Sequence, residues 1–280
     1  MGNPRVRDTL KDLGLAPSKS RGQNFLKDEN HIRRIVDNIL QGAGPLPRLL
    51  EIGPGLGALT RPLLEAGAAI TAVELDRGLA ENLGGLAALH KGRLTVIHQD
   101  ILTVDPAAAA GGSPMFLCGN LPYNISSPVL FWFLRHRRSF SGARLMLQKE
   151  MARRLTAGPG SKDYGRLAVA LSLWCRVAEA LDVPPSAFHP RPKVDSAVVA
   201  LTPRDPAEEP AVGPEALGRF TAAAFAARRK TILNNLAGAY GREAAQRALA
   251  GLDIEPGRRA ETLAPSQLAE LAVILENIRT

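Results

Sequence analysis

Two clusters of residues in this chain have the types and spacing to do chemistry. The first is Glu51-Ile-Gly-Pro-Gly-Leu-Gly57, in which an apolar run (RLLEI, 48–52) breaks into glycines. Glycines here let the backbone turn sharply and let a ligand approach the main chain. A helix opening just after them would present unpaired amides. A second acid, Glu74, stands 21 residues beyond Gly53, at the end of the next apolar run. A carboxylate at that place can accept both ribose hydroxyls of a nucleoside. A third, Asp100, follows Leu94–His98 (LTVIH), where it can meet an adenine amino group. The turn and the acids together point to a ligand that carries a nucleoside. Gly53-x-Gly55-x-x-Ala58 also satisfies a dinucleotide fingerprint, so NAD and S-adenosylmethionine both stay open on these features alone.

The second cluster is Gly119-Asn120-Leu121-Pro122-Tyr123-Asn124, directly after the apolar MFLC. An amine conjugated into an aromatic ring is a poor nucleophile. An Asn side-chain oxygen and a nearby backbone carbonyl can accept both of its hydrogens, which favours a pyramidal nitrogen with an available lone pair. Pro122 stiffens the loop, and Tyr123 offers a face on which an extruded base can stack. The catalytic contribution is positioning and charge complementarity rather than a strong base. Phe188, in Phe188-His189-Pro190, is either a second stacking face or a core anchor. The loop resembles the (Asn/Asp)-Pro-Pro-(Tyr/Phe) signature of amino-group methyltransferases, with Leu121 in place of the first proline. This loop, together with Pro54, Glu51 and Asp100, favours S-adenosylmethionine over NAD. An NAD-dependent oxidoreductase would need an acid or base beside the nicotinamide, and the sequence offers no candidate. No metal is expected: there is no CxxC and no His pair at ligand spacing, and His189 has no visible carboxylate or cysteine partner.

These residues need elements to hold them. Ile32, Ile35, Val36 and Ile39 have the spacing of an amphipathic helix. Strands are expected at Arg48–Ile52, Ala69–Leu75, Leu94–His98, Met115–Cys118 and Ala143–Gln148, with helices around Leu59–Leu64, Leu79–Leu89 and Pro128–Arg135. Leu167–Trp174 and Val198–Leu201 are further apolar runs. Alternating strands and helices imply a mostly parallel sheet covered on both faces. The stretch from Thr202, TPRDPAEEPAVGPEA, reads as a linker, with only helical patterning beyond it. The expected division is therefore 1–205, a sheet-bearing domain, and 206–280, a small helical domain.

The charge is localised. The chain of 280 residues carries a formal +8, and the segment Trp132–Arg176, with ten Lys or Arg against Glu150 and Asp163, accounts for all of it. A local positive field suits a polyanion. Cys118 and Cys175 sit in apolar runs and read as reduced core residues. The N-terminal MGNPRVRDTLKDLG lacks an apolar signal-peptide core, and no apolar run reaches membrane-spanning length. A cytoplasmic protein with no membrane partner is expected.

In order along the chain, Gly22-Gln-Asn-Phe-Leu26, Glu51–Gly57, Val73-Glu-Leu-Asp76, Gln99-Asp100, Gly119–Asn124, Gln148-Lys-Glu150 and Phe188-His-Pro-Arg-Pro-Lys-Val-Asp-Ser196 resemble the KsgA/RsmA family of small-subunit (16S) rRNA adenine N6,N6-dimethyltransferases. The resemblance implies an α/β, Rossmann-like class I methyltransferase sheet plus a small C-terminal helical domain. It implies S-adenosylmethionine as methyl donor and two adjacent adenosines near the 3′ end of 16S rRNA as acceptors. The partner implied is the immature 30S subunit, met by a monomer. Asn24 and Leu26 would close over the methionine end of the donor, with Gly53 against it. Glu74 would hold the ribose and Asp100 the adenine. Asn120, Leu121, Pro122, Tyr123 and Phe188 would form the acceptor side, Asn120 also touching the donor. Two related readings remain: a large-subunit rRNA adenine methyltransferase of the macrolide-resistance type, and a nucleic-acid-binding relative without catalysis.

Overall fold

The computed structural model describes residues 6–18, 21–110 and 112–278. Met1–Arg5, the start of the N-terminal segment, lie outside them. The chain forms two compact units, one of Met1–Ala152 with Ala178–Pro203 and one of Arg153–Val177 with Arg204–Thr280.

The first unit begins with α1 (Val6–Asp12), β1 (Phe25–Leu26) and α2 (Glu29–Ala43). Asp28 caps α2 by accepting from the His31 amide, and Gly44, at a φ of 81°, ends it. The helix buries Ile32, Ile35, Val36 and Ile39, the stripe its spacing predicts. There follow β2 (Arg48–Ile52), α3 (Thr60–Glu65), β3 (Ala69–Glu74), α4 (Arg77–Leu89), β4 (Leu94–His98), α5 (Pro106–Ala110), β5 (Met115–Asn120), α6 (Ser126–Arg135) and β6 (Phe140–Gln148). Asp76 caps α4 by accepting from the Gly78 and Leu79 amides. Later in the chain come α7 (Lys149–Thr156), α8 (Arg166–Trp174, in the second unit), β7 (Cys175–Val183), β8 (Phe188–His189) and β9 (Ser196–Pro203).

Seven strands form one sheet in the order β4-β3-β2-β5-β6-β9-β7. Strands β4, β3, β2, β5 and β6 are parallel, and β9 runs antiparallel to β6. Helices cover both faces, so the central strands are buried on both sides: Leu49, Leu50, Ile52, Leu117 and Leu145 are all at most 2% exposed. Truncating a fully buried side chain such as Ile39 would cost about 2–5 kcal/mol. The chain winds outward from β2 through β3 to β4, then restarts on the other side at β5. That reversal leaves a crevice at the carboxyl ends of β2 and β5. A separate two-stranded pairing joins β1 to β8, setting Phe25 opposite His189 and Leu26 opposite Phe188.

The second unit is helical. It contains α8 and the later helices α9 (Pro214–Ala224), α10 (Ile232–Tyr240), α11 (Arg242–Gly251) and α12 (Pro265–Ile278). Trp174, Phe220, Leu236, Leu268 and Leu275 are buried in it. The Tyr164 hydroxyl donates to the Leu263 carbonyl at 3.1 Å, and its ring meets Phe225 edge-on. Here the organisation departs from a simple division at 205/206, because residues 153–177 also belong to the helical unit. The apolar run Leu167–Trp174 is a helix: Leu and Ala dominate it, Val169 is its one β-branched residue, and Ala168, Val169, Ala170, Leu171 and Trp174 are buried. The stretch read as a linker gives way to α9 already at Pro214. Cys118 and Cys175 are buried thiols.

Candidate functional site

The crevice at the reversal point is a cavity of about 190 Å³. Its floor is set by strand register, since Ile52 pairs with Val73 on one side and with Gly119 on the other. A Cβ on Gly119 would lie 2.5 Å from the Ile52 carbonyl oxygen, so only glycine lets β5 pass this close to β2.

The glycine turn uses its own polar groups. Gly53, Gly55 and Gly57 all have positive φ (61°, 59° and 82°), a conformation that favours glycine. The Gly53 amide donates to the Val73 carbonyl at 2.9 Å and the Gly57 amide to the Pro54 carbonyl at 2.9 Å. The Gly55 amide donates to Glu74 Oε2 at 3.0 Å. The expected cradle of unpaired amides at a helix start is therefore absent at these three glycines, and α3 begins only at Thr60.

Acids dominate this half of the cavity. Glu51 is 1% exposed, and its Oε2 accepts from the Thr60 hydroxyl at 2.7 Å. Burial, reinforced by the charge of Glu74 and opposed by the Thr60 bond, raises its pKa to about 7. Burial also raises the Glu74 carboxyl, against the stabilising amides of Asp76 and Gly55. Each Glu74 oxygen accepts one backbone amide, Asp76 at 2.9 Å and Gly55 at 3.0 Å. Two lone pairs per oxygen leave each able to take a hydroxyl as well. Asp100 lines the cavity, its Oδ1 accepting from the Leu102 amide at 3.0 Å. Arg21 pairs with Asp76 beside this group. A pyrophosphate would meet carboxylates and glycine amides already spent. Carboxylate oxygens with spare lone pairs suit a ligand that brings hydroxyl or amino donors.

The opposite half is the loop Asn120–Ile125. The Asn120 Nδ2 donates to the Asn24 carbonyl at 2.9 Å. Only the NH₂ group can donate to a carbonyl, so this bond fixes the amide orientation and leaves Oδ1 as an acceptor. Asn24 is itself held by donation from its Nδ2 to the Gly22 carbonyl at 3.1 Å. The Leu121 amide donates to the Met146 carbonyl at 3.1 Å. A proline could not, so this bond requires a residue other than the signature's first proline here. Tyr123 is tethered by its hydroxyl, 2.9 Å from Ser196 Oγ, and burial raises its pKa.

The structure thus brings Asn24, Leu26, Gly53, Glu74, Asp100, Asn120, Leu121, Pro122 and Tyr123 to one cavity. It does not bring Phe188. That ring is 2% exposed and belongs to the buried cluster that includes Leu26 and Ala187. Across β1–β8 it pairs with Leu26, and its ring packs into that cluster rather than lining the cavity. Thr60 and Ser196 received no role from the sequence. Thr60 had a weak local signal, a hydroxyl nine residues after Glu51, and Ser196 only its place at the end of the Phe188–Ser196 segment. No group of His, Cys, Asp and Glu able to hold a metal occurs among the described residues, and no helix among them is long and apolar enough to cross a membrane.

A Rossmann-like sheet with a crevice of this kind at its reversal point defines the class: this is a methyltransferase fold. The dimethyladenosine transferase from Plasmodium falciparum shares it with a TM-score of 0.74 and 26% identity, over 91% of this chain and 98% of that one. The 23S rRNA methyltransferase ErmE matches with a TM-score of 0.64 and 29% identity, over 90% and 100%. The model of the ribosomal RNA adenine dimethylase family matches residues 16–277, and the chain belongs to that family. Among its relatives, ribosomal RNA small subunit methyltransferase A of Xanthomonas euvesicatoria pv. vesicatoria (strain 85-10) is 50% identical over 222 residues, 79% of this chain and 84% of the relative. The protein of the same name in Xanthomonas campestris pv. campestris (strain B100) is 46% identical over 260 residues, 92% of this chain and 96% of the relative.

Proposed function

We propose that this protein transfers methyl groups from S-adenosylmethionine to N6 of two adjacent adenosines in a hairpin near the 3′ end of 16S rRNA, as a step in small-subunit biogenesis. The observation that carries the reading is the fixed Asn120 amide, with its Nδ2 committed to the Asn24 carbonyl and its Oδ1 left to accept, in the loop that also presents the Tyr123 ring. The 46–50% identity to small-subunit enzymes, against 29% to ErmE, favours the small-subunit substrate over the large-subunit one.

When bound, the donor supplies an electrophilic methyl group on a sulfonium. The residues suited to hold it are Asn24, Leu26, Gly53, Glu74, Asp100 and Asn120. Glu74 keeps one lone pair on each oxygen for the ribose hydroxyls, and Asp100 has a second oxygen for an adenine amino group. On the acceptor side, Asn120 Oδ1 and a backbone carbonyl of the same loop accept the two amino hydrogens in the first transfer, and one of them accepts the single hydrogen left for the second. That draws the nitrogen out of conjugation with its ring. Tyr123 supports the base from its face. The gain comes from preorganised acceptors in a partly dry site; the surplus proton leaves to solvent after transfer, so no strong base is required. The partner is the immature 30S subunit, met in the cytoplasm by a monomer without a metal.

Mass mapping of methyladenosine in small subunits from cells lacking the protein tests this. The expected result is loss of dimethyladenosine at two neighbouring positions near the 3′ end. Unchanged modification would overturn the assignment. Calorimetry should show heat with S-adenosylmethionine and none with NAD.

A further inference from the structure

The segment Phe188–Ser196 carries part of the family resemblance, yet its Phe is buried and its Ser has no role in the reaction described so far. We propose that Ser196 is a positioning residue for the acceptor base, acting through Tyr123; this rests on the functional reading above. Ser196 is the first residue of β9, pairs with Gln148 at the end of β6, and is 0% exposed. Its Oγ lies 2.9 Å from the Tyr123 hydroxyl, across 73 residues of sequence.

The placement does more than satisfy a buried hydroxyl. The acceptor loop is pinned to the sheet twice. Its backbone is held where the Leu121 amide meets Met146 of β6. Its aromatic tip is held where Tyr123 meets Ser196 of β9, the strand paired with β6. A tyrosine ring has two free torsions, and its staggered wells differ by large swings of the ring plane. Tethering both the backbone and the far end of the ring selects one well, so the stacking face is set before the base arrives. Ordering that ring during binding would otherwise weaken the encounter. Ser196 thus touches neither substrate nor cofactor, and its effect should be confined to the acceptor.

The test compares wild type, Ser196→Ala, Tyr123→Phe and the double variant on methyl-deficient small subunits, with calorimetry of S-adenosylmethionine alongside. Loss of one hydrogen bond corresponds to about 3- to 10-fold. Each single variant should lose that much in kcat/KM for the RNA, with cofactor affinity within about twofold of wild type. The double variant should be no worse than the weaker single, because both remove the same bond. Additive losses would overturn the inference, as would a Ser196→Ala enzyme with wild-type kcat/KM. Tyr123→Phe keeps the ring and deletes only its tip, so it carries the test if Ser196→Ala misfolds; full activity in Tyr123→Phe then overturns the proposal. A wild-type protein inert toward small subunits would sink the functional reading and this inference with it. An active wild type with an unaffected serine variant would sink this inference alone.

Discussion

The two halves of the cavity are built differently. The half proposed to take the donor is held by near neighbours: Glu51 by Thr60 nine residues on, Glu74 by Asp76 two residues on and by Gly55 nineteen residues back. The half proposed to take the acceptor is held by remote ones: Asn120 by Asn24 across 96 residues and Tyr123 by Ser196 across 73. A half assembled from consecutive strands and the turns that follow them can form wherever that local unit folds. A half assembled from distant strands exists only when the whole sheet is in register. Damage to the donor half should therefore appear as lost affinity or shifted pH dependence, and damage to the acceptor half as lost turnover with the donor still bound.

Three measurements sharpen or break this contrast, and a fourth bears on the basic segment outside it. The largest effect is expected at Asn120→Ala, which removes the fixed acceptor. Turnover should fall by about 10²–10³-fold while S-adenosylmethionine affinity stays within a few-fold. A variant that loses binding and turnover together would erase the distinction between the halves.

Next is Glu51. The buried carboxyl titrates near 7 in the folded chain and near 4.5 when exposed. Between those values the folded chain holds a proton that the unfolded chain has released. Stability from this group is therefore complete below about pH 4.5 and falls as pH rises through about 7, by on the order of 3 kcal/mol. Glu51→Gln keeps an acceptor for Thr60 and has no charge to bury, so denaturant titrations from pH 5 to 8 should show its stability gaining on wild type as pH rises. Parallel curves would mean that Glu51 is not buried as described.

Glu74→Ala should weaken S-adenosylmethionine by about 10- to 100-fold, the loss expected for hydrogen bonds to a charged group. It should affect methyl transfer at saturating donor far less. A calorimetric affinity equal to wild type would remove Glu74 from the donor half.

The smallest effect concerns neither half. Charge reversal at the exposed Arg135 or Arg138 should lower the slope of log affinity for RNA against log salt by about 0.7–0.9 for each phosphate no longer neutralised. An unchanged slope would make that basic segment an ordinary solvated face.

Much of the donor half is legible in the sequence. Glycines that need positive φ, an acid before them and an acid at the end of the next strand are spaced by local geometry, and the Gly55 amide meets Glu74. Asp100 follows the same logic one strand further out. The acceptor loop is legible as a motif but not as a geometry. Its leucine becomes intelligible once the amide is seen to donate to Met146. Phe188 shows the opposite limit: an aromatic beside a functional motif has the same local pattern whether it stacks on a base or fills the core, and here the ring is buried in the core cluster. Residues 153–177 were indistinct for a related reason, since an apolar run such as Leu167–Trp174 does not announce which compact unit will bury it.

Taken alone, the sequence determined the α/β alternation, the glycine turn, the three acids and the identity of the acceptor loop. Each of these depends on residues within a strand, a turn or a helix of one another, where side-chain period and backbone sterics decide the outcome. The orientation of the Asn120 amide, the tether on Tyr123 and the burial of Phe188 and Glu51 were decided by the folded sheet. Those depend on which strands lie side by side, and strand order is selected by the packing of the whole unit rather than by any stretch of chain.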